Sequence, residues 1–294
     1  MRSSFSGCLT QLRPTRRSVR TKVIFSFCCL GWLVTGDFSR VARYLAAYAG
    51  GLSVATLARR LVAIGQAHAV RGLLDPTKTE LVRRTMRGVR RTYGKPQRRA
   101  AALMTDDVLA MTSLLGNSLA ELRDRALLLL GFAGGFRRSE LVSIDCGAVR
   151  RCIHGPVIMI PKSKSDQESC GRQVVIPYGR TMCPVEALDA WLSASGITDG
   201  PVFRQMRKGG RPGTNPLSPE AVAEIVKRRA REIGLDPGCY SGHSLRAGFV
   251  TSAAAAGVPA WRIKAQTGHA SDAMIGRYIR HAALFDCDAF PAVL

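Results

Sequence analysis

Acidic residues are scarce in this 294-residue sequence: 21 Asp+Glu stand against 43 Lys+Arg, a formal net charge of +22 and a pI near 10.6. An acidic or neutral enzyme surface is thereby excluded. The few carboxylates are also dispersed, whereas metal-dependent strand transfer needs them clustered around divalent ions. No metal site is expected. The nine cysteines, Cys8, Cys28, Cys29, Cys146, Cys152, Cys170, Cys183, Cys239 and Cys287, contain no C-x-x-C pair, so neither a zinc site nor a disulfide framework has the spacing it requires. A membrane-spanning run is missing too. Val23–Val34 (VIFSFCCLGWLV), behind Arg16, Arg17, Arg20 and Lys22, imitates the charged and apolar regions of a signal peptide, but it is too short to cross a bilayer as a helix and no A-x-A cleavage site follows. No membrane role and a cytoplasmic location are the expectation.

What is present is enough to fold. Apolar residues make up 46% of the chain, and the length suits one large or two ordinary domains. Charge is uneven: residues 1–100 carry 20 Lys+Arg and 3 Asp+Glu, residues 101–294 carry 23 and 18. A basic amino-terminal third on an apolar remainder reads as an enzyme that grips a polyanion, with an anionic membrane surface as the rival partner.

Periodicity predicts a mainly α fold with a small β-sheet. Ser53 can cap a helix with Val54, Leu57, Leu61 and Ile64 on one face. A second helix, Thr79 to about Tyr93, stripes Val82, Met86, Val89 and Tyr93 on one side. Arg83, Arg84, Arg87, Arg90 and Arg91 surround the rest, offset only by Glu80. A solvated helix usually mixes signs, so this one is assigned to phosphate contact. Gly94–Arg99 (GKPQRR) marks the passage into a second domain. Beyond it, helices are expected at Asp106–Leu115, Leu119–Phe132, Ser139–Ile144, Pro184–Ser195, Ser218–Gly234, Ser244–Ala256, Pro259–Gln266 and Ser271–Arg280, with one hairpin of Val157–Ile160 and Gln173–Ile176. The expected organisation is an atypical segment 1–40, a helical domain 41–96, a mixed domain 100–285 and a tail 286–294.

Four segments carry potential chemistry, each with an ordinary alternative. In Gly135–Leu141 (GFRRSEL), Arg137 meets a helix start with Glu140 placed to hold it; both arginines could equally be surface charges. In Pro161–Gln167 (PKSKSDQ), Lys164 on a hairpin tip could pass a proton, with Lys162 as its competitor. In His243-Ser244-Leu245-Arg246 the i, i+3 spacing puts imidazole and guanidinium on one helical face, although a lone histidine there is more often structural. Thr267-Gly268-His269 precedes a helix with Arg277 and Tyr278, where packing is the default for a tyrosine. Jointly, two arginines, two histidines, a lysine and a tyrosine form a set that could cleave a phosphodiester without a metal, because forked donors can grip its nonbridging oxygens.

The order R…K…H-x-x-R…G-H…Y, carried by GFRRSEL, KSKSDQE, SGHSLRAGF and TGH…RYIR, resembles the tyrosine recombinase (phage integrase) family over roughly residues 100–285. That resemblance implies a helical core-binding domain plus a mixed α+β catalytic domain clamped around double-stranded DNA. It implies a site-specific recombinase in which Tyr278 forms a 3′-phosphotyrosyl link and frees a 5′-hydroxyl. Arg137 and Arg246 would hold the phosphate, His243 and His269 position it and move protons, Lys164 protonate the leaving oxygen, and Glu140 support the site. No cofactor and no small-molecule substrate are implied, and a homotetramer on two DNA sites is. A DNA-binding protein without recombination activity and a type IB topoisomerase are the alternatives. Residues 1–36 depart from the family, lacking the helical stripe of its first element. The apolar segment Ala282–Leu294 could dock on a neighbouring protomer or on its own domain.

Overall fold

The structure, a computed structural model, describes residues 38–95, 100–161, 171–269, 271, 273–276 and 278. The Val23–Val34 run, Lys162, Lys164, Arg277 and the Ala282–Leu294 tail lie outside them. The chain divides into two compact units, Met1–Arg98 and Arg99–Leu294.

In the first unit three helices, α1 (Ser39–Tyr48), α2 (Val54–Val70) and α3 (Glu80–Tyr93), enclose a small core of Val41, Leu45, Leu57, Ile64, Val82, Met86 and Val89. Ser53 caps α2 by accepting from the Thr56 amide at 3.1 Å, satisfying one of the donors that a helix start leaves open. Tyr93, expected on the buried stripe, is instead 46% exposed. It lies beside Gly50, which has no side chain to cover the ring. Arg83, Arg84, Arg87, Arg90 and Arg91 are all exposed on α3.

The second unit is built around α5 (Leu119–Ala133). Ala126 to Gly131 are all buried, as expected of a helix apolar on every side. Around it lie α4 (Thr105–Ser113), α6 (Arg138–Leu141), α7 (Pro184–Ser195), α8 (Pro219–Glu232), α9 (Ser244–Ala255) and α10 (Ala260–Thr267). Residues 273–276 and 278 are also helical. Asp124, fully buried on α5, accepts from Arg123 of its own helix and from Arg228 and Arg229 of α8. A carboxylate without water is tolerable only when so surrounded.

Sheet content exceeds the single hairpin expected. β1 (Val149–Arg150), β2 (Val157–Ile160) and β3 (Arg172–Val175) form an antiparallel sheet in that order, with Ile158 opposite Val174. A second, two-stranded sheet joins β4 (Arg204–Met206) to β5 (Pro212–Pro216). β1 is too short to show alternation, and two prolines disguise β5; each strand of a two-stranded sheet keeps an open edge where proline is tolerated. The helix expected at Ser139–Ile144 is cut to the four residues of α6, because the Ile144 carbonyl accepts from the Val202 amide at 2.9 Å and Asp145 bridges to Pro201, drawing the chain out straight.

The segment entering this unit is laid directly on α9. Ala101 donates to the Cys239 carbonyl at 2.8 Å and Leu103 to that of Ser244 at 3.1 Å. A Cβ at Gly248 would fall 1.6 Å from the Leu103 carbonyl oxygen, so only glycine lets the two backbones approach. Among the described residues no helix is long and apolar enough to cross a membrane, and no His/Cys/Asp/Glu group could hold a metal ion.

Candidate active site

The turn before α6 and the start of β3 converge on one buried carboxylate, that of Glu140. Phe136, 1% exposed, pins the turn after α5, and α6 begins at once, so Glu140 reaches back to cap the Arg137 amide at 3.0 Å. Its other oxygen accepts from Arg137 Nη1 at 2.5 Å. Arg172, at the start of β3, donates from Nη2 to Glu140 Oε2 at 3.0 Å and from Nη1 to the Gln266 carbonyl at the end of α10. Glu140 is thus held between two guanidinium groups. Arg137 also spans to the Gly268 carbonyl through Nη2 at 3.2 Å.

Arg246 comes from the first turn of α9 and is 1% exposed. Its Nη1 donates to the Gly135 carbonyl at 2.7 Å and to that of Thr267 at 2.6 Å, while Nη2 is buried without a partner. Burial first, then the neighbouring Arg137, lowers its pKa to about 10, which leaves it charged at neutral pH. A buried N–H with no acceptor is costly, and an anionic oxygen would remove that cost. Gly268 ends α10 in the left-handed conformation, φ 65°, with Arg172 Nε 3.0 Å from where a Cβ would stand. The turn carrying His269 is therefore laid flat against Arg172.

The two histidines differ. His243, at the start of α9, is exposed, yet its Nε2 lies 3.1 Å from Tyr278 Oη. Loss of water around the ring, then the charges of Arg246, Arg137 and Arg138, push its pKa below the ordinary histidine value. His269 is buried, its ring centre 6.0 Å from that of Tyr278. Burial and then Arg246 and Arg137 lower its pKa to about 3, so the ring is neutral at pH 7. Thr267 Oγ1 lies 2.6 Å from both the Ile263 carbonyl and His269 Nδ1. A hydroxyl has one hydrogen; given to the carbonyl, it assigns the imidazole proton to Nδ1 and leaves Nε2 an acceptor.

Of the residues expected from sequence, Arg137, Glu140, His243, Arg246, His269 and Tyr278 are gathered here, whereas Lys164 lies outside the described residues. Arg138 is exposed, and Tyr240 packs against the main core. Sequence reasoning missed Arg172. Its signal was faint: a lone cation opening a strand whose next residues alternate ordinarily. Arg83, Arg84, Arg87, Arg90 and Arg91 belong to the first unit and form its basic face.

The site thus sets a phenol hydrogen-bonded to an imidazole beside buried guanidinium groups, in a mainly helical protein with a basic helical unit. Residues 102–284 match the sequence profile of the phage integrase family. The chain is 37% identical over 255 residues to an integrase/recombinase xerD homolog of Selenomonas ruminantium, covering 85% of this chain and 75% of that protein. It is 27% identical to the recombinase cre of Escherichia phage P1 over 79% of this chain and 72% of that one. A crystal structure of a lambda integrase(75-356) dimer bound to a COC' core site superposes with a TM-score of 0.63, at 17% identity, over 92% of this chain and 90% of that chain. The chain belongs to the phage integrase family and is a tyrosine-type site-specific recombinase.

Proposed function

We propose that Tyr278 Oη attacks the scissile phosphate of double-stranded DNA, forming the 3′-phosphotyrosyl bond as the bond to the 5′-oxygen breaks. The observation that carries this reading is the 3.1 Å contact between Tyr278 Oη and His243 Nε2. A free phenol has a pKa of about 10, so it needs a base; the lowered pKa of His243 favours the neutral ring, which in the tautomer protonated at Nδ1 offers Nε2 to the phenolic proton. Arg246 and Arg137 grip the nonbridging oxygens, the unpartnered Arg246 Nη2 being one donor for them. His269 shares the proton traffic through Nε2 and fixes the phenol by packing beside it. Glu140 aligns Arg137, and Lys164 supplies the proton to the departing 5′-oxygen. The 5′-hydroxyl of a second strand then attacks the phosphotyrosyl ester, which conserves the bond energy and removes any need for a nucleotide cofactor.

Double-stranded DNA is the partner, held in part by Arg83, Arg84, Arg87, Arg90 and Arg91, and the reaction belongs in the cytoplasm. Recombination exchanges four strands in pairs, so the working assembly is a homotetramer on two sites. We assign residues 41–96 to the core-binding domain and 100–285 to the catalytic domain. The test is a nicked suicide duplex that traps the covalent intermediate: an adduct mapping to Tyr278, formed equally well in EDTA, is the expected result. An adduct on another residue, or one still formed by Tyr278→Phe, would remove the reading.

A further inference from the structure

Arg172 lies in none of the four segments that drew attention in the sequence, yet it makes two of the links that tie the site together. Its Nη2 holds Glu140 Oε2 at 3.0 Å and its Nη1 holds the Gln266 carbonyl, while its stem lies against Gly268. Glu140 has only two oxygens, and both are committed to guanidinium groups: Oε1 to Arg137, Oε2 to Arg172. Rotation of the carboxylate would break both pairs. Gln266 in turn donates from Nε2 to the Ala133 carbonyl at 3.1 Å and to that of Val175 at 2.9 Å, so the end of α10 is fastened to the end of α5 and to β3. Arg172 is largely buried, its side chain 14% exposed, and its Nε has no partner. A buried guanidinium with an unused N–H is costly to keep if packing were its only contribution.

We propose that Arg172 is a positioning residue for strand cleavage, acting through Glu140 to fix the Arg137 guanidinium and through the end of α10 to fix the turn that carries His269. The inference rests on the assignment of Arg137 and Tyr278 above. A lysine could replace the charge but not the fork, since one ammonium cannot reach Glu140 and the Gln266 carbonyl in the same planar geometry.

The test measures single-turnover adduct formation on the suicide duplex, together with duplex affinity and the melting temperature of each variant. Arg172→Gln is expected to slow adduct formation by ~100-fold while affinity stays within about threefold, and Arg172→Lys to recover no more than about a tenth of the lost rate. If Arg172 works through Glu140, Glu140→Gln/Arg172→Gln is slower than Glu140→Gln alone by far less than the single-variant factor. A merely structural role would give multiplied losses that follow the fall in melting temperature. Full activity in Arg172→Gln or Arg172→Lys, or multiplicative losses in the double variant, would overturn the proposal; should Arg172→Gln fail to fold, the lysine variant decides. Tyr278→Phe runs alongside: an adduct persisting there removes the underlying assignment of the nucleophile, whereas its disappearance with unaffected Arg172 variants removes only this inference.

Discussion

Arginine sits in two different settings in the two units of this chain. On α3 five arginines are exposed and form no ion pair with other described residues. Around Glu140, Arg137, Arg172 and Arg246 are largely or wholly buried, and each is held by a carboxylate or by backbone carbonyls. A mobile cation in water gives affinity that salt screens away; a cation locked in a dry pocket gives direction, which salt hardly touches. Affinity and chemistry should therefore respond to different substitutions.

The largest separation is expected at the proposed nucleophile. Tyr278→Phe should give no detectable adduct while duplex affinity by fluorescence anisotropy is unchanged; loss of binding as well would merge the two roles. Next is Arg246→Lys. It keeps the charge but loses the fork, and adduct formation should fall by ~10² to 10³ with affinity nearly constant. A rate near that of the parent would show that charge alone suffices. Replacing Arg83, Arg84, Arg87, Arg90 and Arg91 together with Gln should do the reverse: the dependence of log affinity on log salt should flatten by ~0.9 for each phosphate contact removed, while the adduct rate at saturating DNA holds. An unchanged salt slope would take this face of α3 out of the interface.

The smallest effect is on pH. His269 titrates at about 3 when folded against ~6.5 when unfolded. Between those values the unfolded chain binds the extra proton, so this residue's contribution to stability is complete above pH ~6.5 and is lost as pH falls toward the folded value. The slope is at most ~1.4 kcal/mol per pH unit. Melting temperatures from pH 7.5 down to pH 4.5 should fall less steeply in His269→Gln than in the parent; equal slopes would return the acid sensitivity to other groups.

Much of this arrangement was legible in the sequence because its elements carry local signals. The 3.6-residue stripe of α3, the capping serine before α2 and the H-x-x-R spacing each follow from contacts within a turn or two. Pro184–Ser195 and Val157–Ile160 come out with the expected bounds, one marked by an N-terminal proline and a following glycine, the other by β-branched residues. What stayed hidden depends on distant partners. The truncation of α6 follows from Val202, the buried state of Asp124 from arginines on another helix, and the meeting of Arg172 with Glu140 from the way β3 crosses the end of α10. Nothing in the residues flanking Arg172 announces a carboxylate thirty-odd positions earlier in the chain.

The cluster draws its members from Arg137 through to Tyr278, and the phenol proposed as nucleophile is the last of them to leave the ribosome. On that assignment, a chain still lacking its last twenty or so residues holds every arginine and histidine of the cluster but has no group with which to open a strand.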